Sequence, residues 1–211
     1  MKNHEDQSFR SEKGSEPGVR FPAWLKRSIV QSGHKHHVET LIEKNHLHTV
    51  CVSAKCPNRG ECFASGTATF MIMGDVCTRS CSFCGVTHGA PLSLDPHEPT
   101  GILRAVGQLN LSYIVITSVT RDDLPDGGAD HFFRTISILK SEFPSVGVEV
   151  LIPDFGGNEE SLLKVLSARP DVLNHNVETV PRLYPKVRPQ AIYERSLEVL
   201  LRAANAGRSE E

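Results

Sequence analysis

An α/β fold made of strand–helix units in series is what this sequence predicts, and two observations carry it. Short apolar runs rich in β-branched residues alternate four times with longer stretches whose apolar residues recur at helical spacing. Polar and cysteine-rich segments follow the runs directly, where strand ends in such folds carry functional residues. The runs are apolar almost throughout, as expected of a parallel sheet covered by helices.

The first strand is predicted in "FMIMG" (70–74) and its helix in "EPTGILRAVGQLN" (98–110), where Ile102, Val106 and Leu109 share a face. "YIVITSV" (113–119) is the second strand. Its helix, "GADHFFRTISILKSEF" (128–143), stripes Phe132, Ile136, Leu139 and Phe143 along one side. "VGVEVLI" (146–152) is the third strand. "NEESLLKVLSARP" (158–170) opens on Asn158 as N-cap with acids in its first turn, and Pro170 closes it. "DVLNHNVETV" (171–180) reads as a fourth strand, with Asn174, Asn176 and Glu178 alternating along one side. An acid and two amides inside a sheet are costly unless they hydrogen-bond. Either a polar network caps the mouth there or a polar ligand is held, and the ligand is the favoured reading. "YERSLEVLLRAANAG" (193–207) is the fourth helix, with Gly207 as its C′ residue.

Upstream, residues 1–20 are charged and lack an apolar core, which predicts a disordered tail rather than a secretory signal. Residues 21–69 form an extension. Pro22, Trp24 and Leu25 anchor its start, and Val38, Leu41 and Ile42 share one face of "HHVETLIEKNH" (36–46). His34, His36, His37, His46 and His48 crowd here without ligand spacing and read as a solvated face. A net charge of −2 over 211 residues points to no nucleic-acid partner. No apolar run approaches the ~20 residues that span a bilayer, so no membrane partner and a cytoplasmic location are expected.

The six cysteines fall into two triplets. Cys51, Cys56 and Cys62 are spaced C-x4-C-x5-C, and Cys77, Cys81 and Cys84 are spaced C-x3-C-x2-C in "CTRSCSFC". A chain of this length does not need disulfide staples. Structural zinc favours a closed tetrahedral set, often two C-x2-C pairs, which is not the pattern here. A cubane iron–sulfur cluster takes one thiolate per iron, so a triplet leaves one iron open to a small molecule.

C-x3-C-x2-C with an aromatic residue, Phe83, before its last cysteine resembles the signature of the radical S-adenosylmethionine (SAM) superfamily. "CPN…EC", "GTATFMIMGDVCTRSCSFC", "YIVITSVTRDDLPDGGADHF", "EVLIPDF" and "PDVLNHNVETVPRLYPKVRP" resemble lipoyl synthases, and the likeness runs from about Phe21 to Gly207. The resemblance implies an enzyme with two [4Fe–4S] clusters and SAM. Cys77, Cys81 and Cys84 would hold the SAM-binding cluster, whose open iron chelates SAM. Cys51, Cys56 and Cys62 would hold an auxiliary cluster that gives up sulfur. A SAM-derived radical would take hydrogen from C6 and C8 of a protein-bound octanoyl chain to form the lipoyl group. Ser118, Asn176, Glu178 and Arg188 are the expected SAM contacts, with Glu178 on the ribose hydroxyls. Arg188 is read either as the partner of the methionine carboxylate or as half of a structural ion pair. "TRDDLPDGG" (120–128) is expected to shape the mouth loop by turn chemistry. The implied partners are an octanoylated lipoyl carrier domain or H protein, an external electron donor and iron–sulfur assembly proteins. A methylthiotransferase acting on RNA and a non-catalytic metal-binding fragment are the alternatives, the first disfavoured by the lack of a basic patch.

The fold implied is a partial TIM-type radical SAM barrel over residues 70–207, with four strand–helix units of the family's six. Residues 208–211 form a diverged tail. No residue matches the family's serine ligand of the auxiliary cluster, and Ser209 is not assigned that role. The expectation is a truncated synthase with an exposed edge at its fourth strand, folding or catalysing poorly.

Overall fold

The computed structural model describes residues 40–45, 47–53 and 56–208. The predicted tail, the Pro22–Trp24–Leu25 anchor, Val38, Ser209 and the histidines 34, 36, 37 and 46 lie outside those residues. Four strands and four helices alternate: β1 (Thr67–Ile72), α1 (Glu98–Leu109), β2 (Tyr113–Ser118), α2 (Ala129–Glu142), β3 (Gly147–Leu151), α3 (Glu159–Ser167), β4 (Val172–Asn174) and α4 (Tyr193–Arg208). All pair in parallel in the order β1-β2-β3-β4, with Thr67 opposite Tyr113, Tyr113 opposite Gly147 and Glu149 opposite Val172. Each strand adds to the same side of the last, so right-handed crossovers stack successive helices against one another on one face. This is the winding of a barrel, not of a doubly wound sheet with a switch point.

Alternation along the strands assigns the two faces. Ile114, Ile116, Val148 and Val150 have no exposed surface and form the core with Phe132, Ile136 and Leu139 of α2. The opposite face is more polar than continuous apolar runs imply. Tyr113 Oη donates to Glu149 Oε2 at 2.5 Å, and Asn174 Nδ2 donates to Glu149 Oε1 at 2.6 Å. The bond to Glu149, with burial, pushes the Tyr113 hydroxyl up to about 12.

Several predicted boundaries move for local reasons. The first strand starts at Thr67 and ends at Ile72, because Met73 (φ 69°) and Gly74 (φ 91°) turn into left-handed backbone. The fourth strand was expected over 171–180 but ends at Asn174, and Glu178 sits at φ 66°. Asn174 alone of the three polar residues therefore lies in the sheet. Asn176 and Glu178 belong to the segment after it. Gly207, expected as a C′ residue, lies inside α4.

The extension closes the free side of β1. His48 forms an antiparallel bridge to Met71, and Thr49 Oγ1 donates to the Thr69 carbonyl at 2.6 Å. Among the described residues no strand pairs with the outer edge of β4. Asn158 caps α3 as expected, its Oδ1 accepting from Ser161 N at 3.1 Å. Asn158→Ala should cost about 1 kcal/mol and Asn158→Gly only a few tenths. In thermal melts the alanine variant should unfold about 2–4 °C lower and the glycine variant near wild type.

Candidate functional site

One cleft opens at the carboxyl ends of the four strands. Cys77, Cys81 and Cys84 reach it from the loop after β1, Thr117 and Ser118 from the end of β2, Asp154 from beyond β3, and His175, Asn176, Glu178 and Arg188 from beyond β4. The second triplet and all four expected SAM contacts thus share one cavity.

The cysteine loop is pinned from several sides. Val76–Cys77 ladders with Thr87–His88, which closes the loop on itself. Inside it, Arg79 is buried and forks twice. Its Nε and Nη2 donate to Asp122 Oδ2 and Oδ1, both at 2.7 Å. Its Nη1 and Nη2 donate to Asp154 Oδ2 at 3.0 Å and Oδ1 at 2.7 Å. Burial alone would pull the guanidinium down, but the two carboxylates outweigh it and hold its pKa raised. Burial pushes Asp154 up, and Arg79, the Gly156 N–H and Arg195 together hold it below the usual carboxylate range. Stranding one partner of such a buried pair costs about 3–5 kcal/mol. The segment after β4 straps the loop from another side. Ser82 N donates to the Val187 carbonyl at 2.9 Å, and Ser80 N donates to Gln190 Oε1 at 3.3 Å.

Arg188 finds no carboxylate within ion-pair distance among the described residues, so a structural ion pair does not describe it. Its Nη1 donates to the Asn176 carbonyl at 3.0 Å and to Tyr184 Oη at 3.3 Å, and the guanidinium lies 5.3 Å over the Tyr184 ring. Burial pushes the Cys81 thiol up, with Arg188 pulling against it. Arg188 Nε and Ser118 Oγ are buried without a hydrogen-bond partner. Native structures rarely leave such groups unpaired, and two on one cleft mark a place for a polar ligand.

The first triplet lies beside β1. Cys51 is buried in the helical turn Val50–Ser53, Cys56 N donates to the Cys51 carbonyl at 3.1 Å, and Cys62 lies in the helix Arg59–Ala64. Burial, then the neighbouring Cys51 and Cys56, raise the Cys62 thiol, so the three share one neighbourhood. All six thiols are free. Among the described residues no three His, Cys, Asp or Glu side chains converge as a single ion requires.

Sequence reasoning missed Arg79, Asp122, Asp154 and His175. Asp126 does behave as expected of "TRDDLPDGG", accepting from Gly128 N at 2.9 Å and Asp130 N at 2.7 Å. The neighbouring Asp122 does more than turn chemistry. An arginine inside the triplet and acids just after two strands were the available signal.

The radical SAM superfamily model matches residues 71–210. A crystal structure of methylornithine synthase superposes with a TM-score of 0.51 at 16% identity, covering 84% of this chain and 53% of that one, and so shares the fold. The lipoyl synthase of Oleidesulfovibrio alaskensis is 53% identical over 197 residues, 93% of this chain and 68% of that protein. The chain belongs to the lipoyl synthase family. The lipoyl synthases of Caldicellulosiruptor saccharolyticus and Caldanaerobacter subterraneus are each 58% identical over 182 residues, 86% of this chain. The chain spans 64% and 63% of their lengths, just under two thirds.

His175 lines the cleft of this family member and is itself buried. Its Nδ1–H donates to the Ile152 carbonyl at 2.9 Å and its Nε2 accepts from Ser196 Oγ at 3.0 Å. Burial pulls its pKa below the ordinary 6.5. A depressed folded pKa gives stability that is present above 6.5 and lost as pH falls, because the unfolded chain takes up the proton first. Urea midpoints should therefore fall from pH 7.5 to about pH 5.5, and His175→Gln should flatten that fall.

Proposed function

We propose that this chain carries lipoyl synthase chemistry: SAM-dependent insertion of sulfur at C6 and C8 of an octanoyl group borne on a protein lysine. The observation that carries it is the meeting of Cys77, Cys81 and Cys84 with two unpaired buried polar atoms, Ser118 Oγ and Arg188 Nε, on one cleft. Three thiols suit a cluster with one open iron, and the orphaned polar atoms beside them suit a polar cosubstrate. When bound, the cluster and SAM supply the one-electron chemistry that breaks an unactivated C–H bond.

The chain's own residues do the rest. Cys77, Cys81 and Cys84 hold the SAM-binding [4Fe–4S] cluster. Arg188, fixed by the Asn176 carbonyl and Tyr184, donates from Nε to the SAM carboxylate. Ser118 hydrogen-bonds the same ligand. Glu178, on left-handed backbone at φ 66°, accepts from its ribose hydroxyls, with Asn176 beside it. Val119 and Ile152 supply apolar wall that keeps water out. Cys51, Cys56 and Cys62, in the extension ahead of Thr67, hold the second [4Fe–4S] cluster as the sulfur source.

An octanoylated lipoyl carrier domain or H protein brings the substrate, an external donor supplies electrons, and iron–sulfur assembly proteins load the clusters. A cytoplasmic location fits these partners. Among the described residues no helix is long and apolar enough to cross a membrane.

Anaerobic reconstitution with iron and sulfide tests the reading. About 8 irons per chain are expected, with an EPR spectrum that changes on adding SAM. About 4 irons or fewer with no SAM effect would overturn it. Cys81→Ala should lose about 4 irons and the SAM effect together. Arg188→Gln should keep its iron and bind labelled SAM about 10- to 100-fold more weakly in equilibrium dialysis, the loss of one charge-assisted hydrogen bond.

A further inference from the structure

Two backbone N–H groups converge on Cys77 Sγ: Arg79 N at 3.4 Å and Thr120 N at 3.3 Å. The first is local, two residues along the chain. The second comes from the loop after β2, 43 residues away. Both donors are fixed by one clamp. The Arg79 side chain is bound to Asp122 and Asp154, which locks its own backbone. Thr120 lies two residues before Asp122, and its carbonyl accepts from Thr78 N at 3.1 Å and Thr78 Oγ1 at 3.0 Å. Thr78 Oγ1 also accepts from Asp122 N at 3.1 Å. The β1 and β2 loops are thus laced together around the sulfur.

Hydrogen bonds to cysteine sulfur are one of the levers that set an iron–sulfur potential, because N–H dipoles aimed at sulfur favour the electron-richer reduced state. The guanidinium's own charge is a weak candidate for that effect. Asp122 and Asp154 neutralise it, and Arg195 Nη1 adds a cation 3.4 Å from Asp154 Oδ2. Resting on the cluster assignment proposed above, we infer that Arg79 is a positioning residue. By holding two backbone N–H groups on Cys77 Sγ, it raises the reduction potential of the cluster that Cys77 helps to bind.

The test is a dithionite titration of the reconstituted full chain, followed by the EPR signal that responds to SAM. Wild type is compared with Arg79→Lys and Asp122→Asn, with iron content measured for each. Lysine keeps the charge but cannot fork to two carboxylates. Arg79→Lys should stay iron-replete and SAM-responsive. Its reduced-to-oxidised ratio at a fixed potential should fall about tenfold, a midpoint about 59 mV lower for a one-electron couple. Asp122→Asn should shift the same way by less, because removing the carboxylate charge would by itself raise the midpoint and so cannot mimic the fall. A wild-type midpoint in iron-replete Arg79→Lys would overturn the inference and leave the cluster assignment standing. If Arg79→Lys fails to hold iron, Asp122→Asn decides, since Asp122 is 42% exposed and its loss strands less buried charge. A lowered midpoint there supports the inference, and an unchanged or raised one overturns it. A wild-type chain with no SAM-responsive signal would overturn the cluster assignment, and the positioning role with it.

Discussion

Four carboxylate oxygens on one buried guanidinium hold this site in shape. The chain after β1 has little secondary structure of its own beyond the two-residue ladder at Cys77, and a loop of that kind pays conformational entropy for every fixed residue. Arg79 offsets that cost from inside the loop by fixing it to the ends of two other strands. Its partners lie 43 and 75 residues away, so the loop is ordered only when β1, β2 and β3 are already side by side. Cysteine placement depends on the assembled sheet and is not a local property of "CTRSCSFC". The same dependence explains why the ion pair tolerates burial: its members are forked, multiply bonded and close to neutral as a group.

The winding of the sheet decides what the clamp can reach. In a singly wound sheet the loops after consecutive strands are neighbours, so residues from all four meet around one cleft. The strand face under the helices is apolar up to Ser118 at the mouth, and the other carries Tyr113, Glu149 and Asn174 in a bonded line. Core side chains fill the helix-facing side along the strands, and the cleft residues gather at the strand ends.

What was legible in the sequence is what is local. The period of Ile102–Val106, the stripe from Phe132 to Leu139 and the cap at Asn158 each depend on residues within a turn or two, and all appear as read. The cysteine triplets and Arg188 were visible as chemistry, and the structure brings the second triplet and Arg188 to one cavity. The fourth strand was over-extended because alternation of Asn174, Asn176 and Glu178 imitates a strand, while the left-handed turn at Glu178 leaves no mark in residue type. Arg79, Asp154 and His175 were missed for a different reason. Their partners are chosen by which strand ends become adjacent, and that order is a tertiary fact.

The attachment of the extension to β1 has a mechanical consequence. Cys51 follows two residues after Thr49, which is bonded to Thr69 within the strand, while Cys77 follows five residues after the strand's last residue, Ile72. Both cysteine groups are therefore suspended from the same rigid rod, one at its flank and one at its tip. Their separation is set by a length of β-strand and by the left-handed turn at Met73 and Gly74 that follows it. The strand works as a ruler between the two groups of thiols, and a one-residue slip of His48 against Met71 would miscalibrate it without touching a single cysteine.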